Sequence, residues 1–447
     1  MSDYKEFLLT NKYTVCEELM NFVAIDSVYD ESTVSKDKPY GAGVAKALEY
    51  VARLGAKHGF EVDRCDGHCT ELTIGEGDKM IGIFAHADVV PATGDWSDDP
   101  FSCKVMDGKV YGRGTSDDKG PFMAAFYAVL ALKNAGLIKG YKVRFVVGGD
   151  EERGASCLDY YFNVLKKPSP DYGFTPDADF PVIYGEKGIN DFFPEIQIQI
   201  PHVLNIKGGA ATNAVCDKVE IETEKPNKLA SYLKSRNIEF KKDKKVVTIF
   251  GKSAHGSTPE LGDNAAIKTM QALGDLYGIE SLKKLADGLS ETSGKKFDGF
   301  CKTKLMGETT YCVGLISYEK GLLKFSVNFR FPEGVKPTEY KDKFDAYFGT
   351  KSKMGEESHV LLFDPESKLV KTLMQAYQEV TGDMEHGPIT IGGGTYAKHC
   401  QNTVAFGALF PGRESVMHQP DEYMPEEDIY QSTLIYARAI ELLGNLK

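Results

Sequence analysis

Apolar positions recur at helical spacing over residues 45–60 and give way to strand-like runs within 72–90 and 143–149. This alternation of helical and strand periods predicts an α/β domain with a largely parallel sheet, because parallel strands need long crossover connections that are usually helices. Near residues 185–188 the character changes. Strand-like segments at 196–200, 218–223, 245–250, 309–314 and 322–331, interleaved with helical stretches at 228–235 and 264–277, predict two passes of a strand–helix–strand pattern between about 189 and 350. The first pattern resumes near residue 360, with helices predicted at 367–381 and 426–443. The expected organisation is therefore a split domain, residues 1–185 and 361–447, interrupted by an inserted α+β domain at 186–360.

A length of 447 residues allows two or three domains, and chains of this size bury about 75% of their unfolded surface. The 65 acidic against 53 basic side chains leave a net charge of −12. That balance argues against nucleic acid or an anionic membrane as partner, since both need a positive field. The first residues, Met1-Ser2-Asp3-Tyr4-Lys5-Glu6, are polar, and no run reaches the roughly 18 apolar residues of a membrane span. Nine cysteines without framework spacing fit a reducing compartment. A soluble cytoplasmic protein is expected.

The chemistry gathers in four segments. Glu151 and Glu152 follow a glycine-ended apolar run, Val146-Val147-Gly148-Gly149. Adjacent carboxylates are costly unless a cation sits beside them or one is kept as a proton acceptor. A second apolar run, 81–85, ends in His86 and Asp88. Their i, i+2 spacing puts both on one face of an extended chain, where a carboxylate can orient a metal-binding imidazole. Asp117 and Asp118 lie in a glycine-bounded loop before the apolar stretch 122–132, and His418 lies in a turn-rich loop, 410–422. A helix N-cap is the competing reading for either aspartate. Imidazoles with carboxylates suit zinc, manganese or cobalt, and a bridging carboxylate between two ions would make a two-metal hydrolytic site. Cys65-Asp66-Gly67-His68-Cys69 offers only three local ligands and no second pair, and Gly392-Gly393-Gly394-Thr395 lacks the lysine of a phosphate loop, so its amides suit a carboxylate better.

In this order, His86-Ala87-Asp88, Gly114-Thr115-Ser116-Asp117-Asp118-Lys119-Gly120, Asp150-Glu151-Glu152, Thr175-Pro176-Asp177 and Met417-His418 resemble the motifs of the co-catalytic metallopeptidases that include aminoacylases and carnosinases. Tyr184-Gly185-Glu186-Lys187-Gly188, Ile391-Gly392-Gly393-Gly394-Thr395-Tyr396-Ala397 and the string 404–412 look like the bacterial dipeptidase subgroup known as peptidase V. The resemblance implies a hydrolase, a metalloprotease acting on dipeptides, with two divalent ions per chain (zinc or manganese, with cobalt possible). It implies that His86 and Asp177 hold one ion, Glu152 and His418 the other, and that Asp117 bridges them. Asp88 would support His86 from behind and Glu151 would be the general base. In the inserted domain, Ser253-Ala254-His255-Gly256-Ser257 resembles the string whose histidine, here His255, stabilises the oxyanion. Asn213, Arg330, Gly393 and Gly394 match substrate-anchoring positions. The insertion would be a lid of two ferredoxin-like halves, closing over the site within a monomer, and the peptide between Asp117 and Asp118 would be cis. Two other readings keep the scaffold: an N-acyl amino acid deacylase, and a non-catalytic ligand-binding homologue.

Overall fold

The computed structural model describes residues 3–446. They divide into two compact units. The first comprises Met1–Gly185, Phe363–Ile389 and Thr395–Lys447, and the second comprises Glu186–Leu362 and Thr390–Gly394.

The first unit is built on a mixed sheet. Its centre is parallel, running through the strands Tyr141–Gly148, Lys79–His86, Tyr172–Thr175 and Thr403–Ala405. Antiparallel pairing is confined to the flanks, where Cys69–Gly75 meets Tyr141–Gly148 and Ile183–Glu186 meets Thr403–Ala405. Parallel strands with both faces covered read as continuous apolar runs. Ile81, Ile83, Phe84 and Ala85 in one strand, and Val143 and Phe145 to Val147 in the next, are accordingly buried. The helix Lys119–Asn134 is buried from Lys119 to Leu132, which is why it shows no polar face. It packs against the closing helix Glu426–Asn445 and the strand Lys79–His86.

The second unit is built on one eight-stranded antiparallel sheet. Four strands, Phe240–Asp243, Val246–Phe250, Lys218–Thr223 and Val203–Gly208, lie on one side of the Asn205–Glu319 to Gly208–Ile316 seam. Thr310–Glu319, Leu322–Phe331, Gly188–Gln197 and Lys351–Met354 lie on the other. Its core includes helix residues such as Leu229, Leu233, Met270, Leu285 and Phe344 together with strand residues such as Val219, Ile221, Val327 and Phe329. Tyr311 stacks on Phe329 at 4.7 Å between ring centroids, an offset contact worth about 1 kcal/mol beyond area burial.

Most predicted elements of this unit have counterparts within a few residues, but the strand expected at 196–200 runs instead from Gly188 to Gln197. Its buried face carries Gly188, Asn190, Phe192 and Pro194, so a glycine, an amide and a proline mask the alternation that would have marked it. The strand Val203–Gly208 and the helices Glu280–Ser290 and Pro337–Phe348 were also not expected.

Candidate metal centre

Parallel register sets His86 opposite Gly148 and Ile83 opposite Phe174, so three neighbouring strands end at the same edge of the first sheet. Loops leaving those carboxyl ends carry Asp88, Asp150 to Glu152, and Asp177. This edge is where open α/β sheets bind ligands.

The predicted ligands of the first unit converge there. His86 Nε2 lies 2.9 Å from Asp117 Oδ1 and 3.7 Å from Asp177 Oδ2. His418 Nε2 lies 2.9 Å from Asp117 Oδ2 and 3.2 Å from Glu152 Oε1. Asp117 thus turns one oxygen to each imidazole. His86, Asp117 and Asp177 form one group of donor atoms within 4.8 Å of one another, and Asp117, Glu152 and His418 form a second. Donors about 2.0–2.1 Å from a tetrahedral ion are spaced about 3.3 Å apart. The observed spacings bracket that value, and the mixed imidazole and carboxylate donors suit zinc, manganese or cobalt.

Electrostatics give the same answer. Asp88, Asp117 and Asp118 are buried, Glu151, Glu152 and Asp177 are half-buried, and among the described residues the ion pairs of this set involve only His86 and His418. Burial raises Asp177 well above the ordinary carboxylate range, and the charge of Asp117 adds to it. Burial also raises Glu152, reinforced by Asp117 and opposed by His418. Asp117 is the exception. Burial would raise it, but hydrogen bonds with His418 and His86 outweigh that and hold it well below the usual range. A crowded, desolvated carboxylate set of this kind calls for cations, whose binding displaces the retained protons.

Glu151 is placed differently from Glu152. Burial lifts its carboxyl well above the ordinary range, with His86 opposing and Glu152, Asp117 and Asp88 reinforcing. Glu151 belongs to neither donor group. A carboxylate of raised proton affinity beside a metal centre is suited to accept a proton.

Asp88 supports the centre in two ways. His86 Nδ1 donates to the Asp88 backbone carbonyl at 2.9 Å, closer than its 3.5 Å approach to the Asp88 carboxylate. That bond leaves Nε2 as the free donor atom. The Asp88 carboxylate itself accepts the backbone amides of Glu151 and Glu152, each at 3.2 Å. Orientation of His86 thus rests chiefly on a carbonyl, while the carboxylate positions the acidic pair.

The peptide between Asp117 and Asp118 is cis. Asp118 occupies the N-cap position of the helix Lys119–Asn134 but makes no side-chain cap bond. Its Oδ2 accepts the backbone amide of His86 at 3.0 Å, and burial pushes its carboxyl up to about 8. The sequence offered an N-cap as the competing role for Asp118; the absence of a cap bond, and the hold on the His86 amide in its place, emerge only from the fold.

The remaining predicted residues lie in the second unit. Arg330 is buried, donates from Nε to Asn328 Oδ1 at 2.7 Å and from Nη1 to the Gly392 carbonyl at 2.9 Å, and desolvation lowers it to about 10. Gly392 approaches Ser257 so closely that a Cβ would sit 2.6 Å from the serine Cβ. His255 is exposed, and its Nδ1 lies 2.6 Å from Ser257 Oγ. The Asn213 carbonyl accepts the amide of Gly256 at 2.7 Å. Asn213, His255 and Arg330 are therefore tied, through Gly256, Ser257 and Gly392, to the segment that carries Gly393 and Gly394.

The model of "Peptidase family M20/M25/M40" matches residues 82–442. A Bacillus subtilis relative named "Putative dipeptidase YtjP" is 35% identical over 461 residues, covering 97% of this chain and 98% of the relative. A Staphylococcus epidermidis protein named "Putative dipeptidase" is 34% identical, covering 98% and 99%. The chain belongs to the M20 peptidase family. The solved structure of human carnosine dipeptidase 1 shares the fold of this M20 peptidase, with a TM-score of 0.62 at 16% identity over 99% of both chains. So does the dipeptidase Dug1p from Saccharomyces cerevisiae, with a TM-score of 0.62 at 15% identity over the whole of both chains. No helix among the described residues of the M20 chain is long and apolar enough to cross a membrane.

Proposed function

We propose that this M20 peptidase hydrolyses dipeptides with two divalent ions, one held by His86 and Asp177, the other by Glu152 and His418, and both by Asp117. The observation that carries this reading is the pair of three-donor groups sharing Asp117, beside a carboxylate, Glu151, of raised proton affinity. The names of the relatives support dipeptides as the substrate class.

Bound divalent ions supply electrostatic activation of a water and of the peptide carbonyl. Glu151 takes the proton from the attacking water and returns it to the leaving amine. Asp88 holds the Glu151–Glu152 backbone in place through its carboxylate. His255 donates to the oxygen that gains charge in the transition state, an interaction that raises kcat because it is strongest there. Arg330, Asn213 and the amides near Gly393 and Gly394 hold the substrate carboxylate, and the inserted unit serves as a lid that selects short peptides. We place the enzyme in the cytoplasm as a monomer.

The test is a panel of dipeptides and N-acyl amino acids assayed after metal removal and re-addition of zinc, manganese or cobalt. Dipeptide turnover is expected to vanish with the metal and return with it. A preference for acylated amino termini would move the assignment to a deacylase, and metal-independent turnover would sink the mechanism. For the lid, His255→Ala is expected to lower kcat by on the order of 10²-fold with metal content unchanged. Mixing His255→Ala with Glu151→Gln protein should restore nothing, and recovery would mean that the histidine is donated across a dimer.

A further inference from the structure

Glu422 sits four residues beyond His418 and is fully buried. It stands at the entry to the strand Tyr423–Pro425, which pairs antiparallel with Lys109–Tyr111, Tyr423 opposite Tyr111. The partner strand leads directly into the loop that ends at Asp117. Two segments of the metal centre therefore leave the same end of one small sheet, and Glu422 ties them together. Its Oε1 accepts the amides of Gly114 at 3.1 Å and Ser116 at 2.8 Å, and the Ser116 hydroxyl at 3.1 Å. Its Oε2 takes Arg113 Nη1 at 2.6 Å, and its backbone carbonyl takes the Gly112 amide at 2.9 Å. Arg113 is as deeply buried, and its guanidinium lies 5.0 Å from the centre of the Trp96 ring.

The two sides of this tie are not equally anchored. Asp117 leads into the buried helix Lys119–Asn134, Asp118 binds the His86 amide, and Lys119 Nζ donates to the carbonyls of Phe22 at 3.2 Å and Ile25 at 2.8 Å. The segment of His418 is exposed from His418 to Pro420, and His418 and Asp421 both adopt left-handed backbone conformations, with φ of +63° and +56°. Such conformations in residues other than glycine persist only where surrounding contacts hold them. Besides Glu422, the side-chain holds on this segment among the described residues are Asp421, which accepts the Ser97 amide and hydroxyl at the surface, Gln419, which donates to the nearby Ser415 carbonyl at 3.4 Å, and His418 itself, through Asp117 and Glu152.

The geometry points to Glu422 as a positioning residue that fixes His418 relative to Asp117, and so sets the affinity of the Glu152–His418 metal group while leaving the His86–Asp177 group largely untouched. This rests on the two-ion reading above. Partners that orient metal ligands typically contribute about 10–100-fold in metal affinity. The test is ion retention by the full-length, metal-loaded chain under graded chelator, with bound zinc counted by native mass spectrometry and unfolding temperature followed in parallel.

Glu422→Gln is expected to release one zinc about 10–100-fold more easily while the other is held as in the wild type, with kcat recovering when free zinc is raised. Because the single change leaves Arg113 buried without its counter-charge, Arg113→Met/Glu422→Gln removes both charges together and serves as the variant that folds without an orphan ion. In that double variant the same selective loss is expected. Retention of both zinc ions at wild-type tightness, whatever the unfolding temperature, would make Glu422 a purely structural residue and overturn the inference, as would equal loosening of both. A wild-type chain that holds fewer than two ions would overturn the two-ion reading and this inference with it.

Discussion

Asp117→Asn is expected to strip metal from both donor groups at once and to lower turnover by about 10³-fold or more, since metal activation contributes several kcal/mol and each 1.36 kcal/mol is tenfold. Asp117 is the one residue common to the two groups. Its loss leaves His86 with Asp177 on one side and Glu152 with His418 on the other, and two protein ligands fall short of the three that catalytic zinc sites commonly have. An asparagine oxygen keeps the shape but not the charge that lets one side chain serve two cations. Elemental analysis after gel filtration checks the claim directly. Asp177→Asn and His418→Ala provide the contrast, because each should cost one ion and spare the other. If Asp117→Asn retained one ion at wild-type affinity, Asp117 would belong to a single site and the bridge would have to be abandoned.

The α/β class and the family were legible because they rest on long-range regularities. Parallel strands buried on both faces leave unbroken apolar runs such as 81–85 and 143–147, and a run ending in a charged residue marks the carboxyl edge where function collects. His86 and the acidic pair after Gly149 stand at such ends, while the paired aspartates were legible as a glycine-bounded loop before the buried helix Lys119–Asn134. The strand Gly188–Gln197 was misplaced for the opposite reason, since Asn190 is buried on its inner face. A buried amide cannot be told from an exposed one by period alone.

Roles that depend on which atom points where were not legible. The i, i+2 spacing of His86 and Asp88 identifies two side chains on one face, yet the shorter contact of the imidazole is to the Asp88 carbonyl, and the carboxylate turns to the amides of Glu151 and Glu152. Glu422 stood in the string around His418 as one more acid in a turn-rich loop. Only the pairing of Tyr423 with Tyr111 brings it against Gly114 and Ser116, more than 300 positions earlier. Sequence distance hides such ties completely.

Glu151→Gln is the change that separates base from ligand, and it is expected to lower kcat by about 10²–10⁴-fold with both ions retained. The two glutamates are adjacent, and backbone amides of both are fastened to the same Asp88 carboxylate, so any difference between them comes from where their side chains go. Glu152 reaches His418 at 3.2 Å and completes a donor group. Glu151 stays outside both groups, in surroundings that raise its proton affinity through burial first and neighbouring carboxylates second. Bound cations would lower that affinity again by opposing the like charges, which favours the unprotonated form that a base needs. A neutral amide at 151 keeps the shape and removes the acceptor, so KM for a dipeptide should change little while kcat falls. Glu152→Gln should instead loosen one ion and lose activity in a way that added metal partly restores. Loss of an ion from Glu151→Gln, with Glu152→Gln fully loaded, would reverse the two assignments, and activity near wild type in Glu151→Gln would leave the proton transfer to some other group.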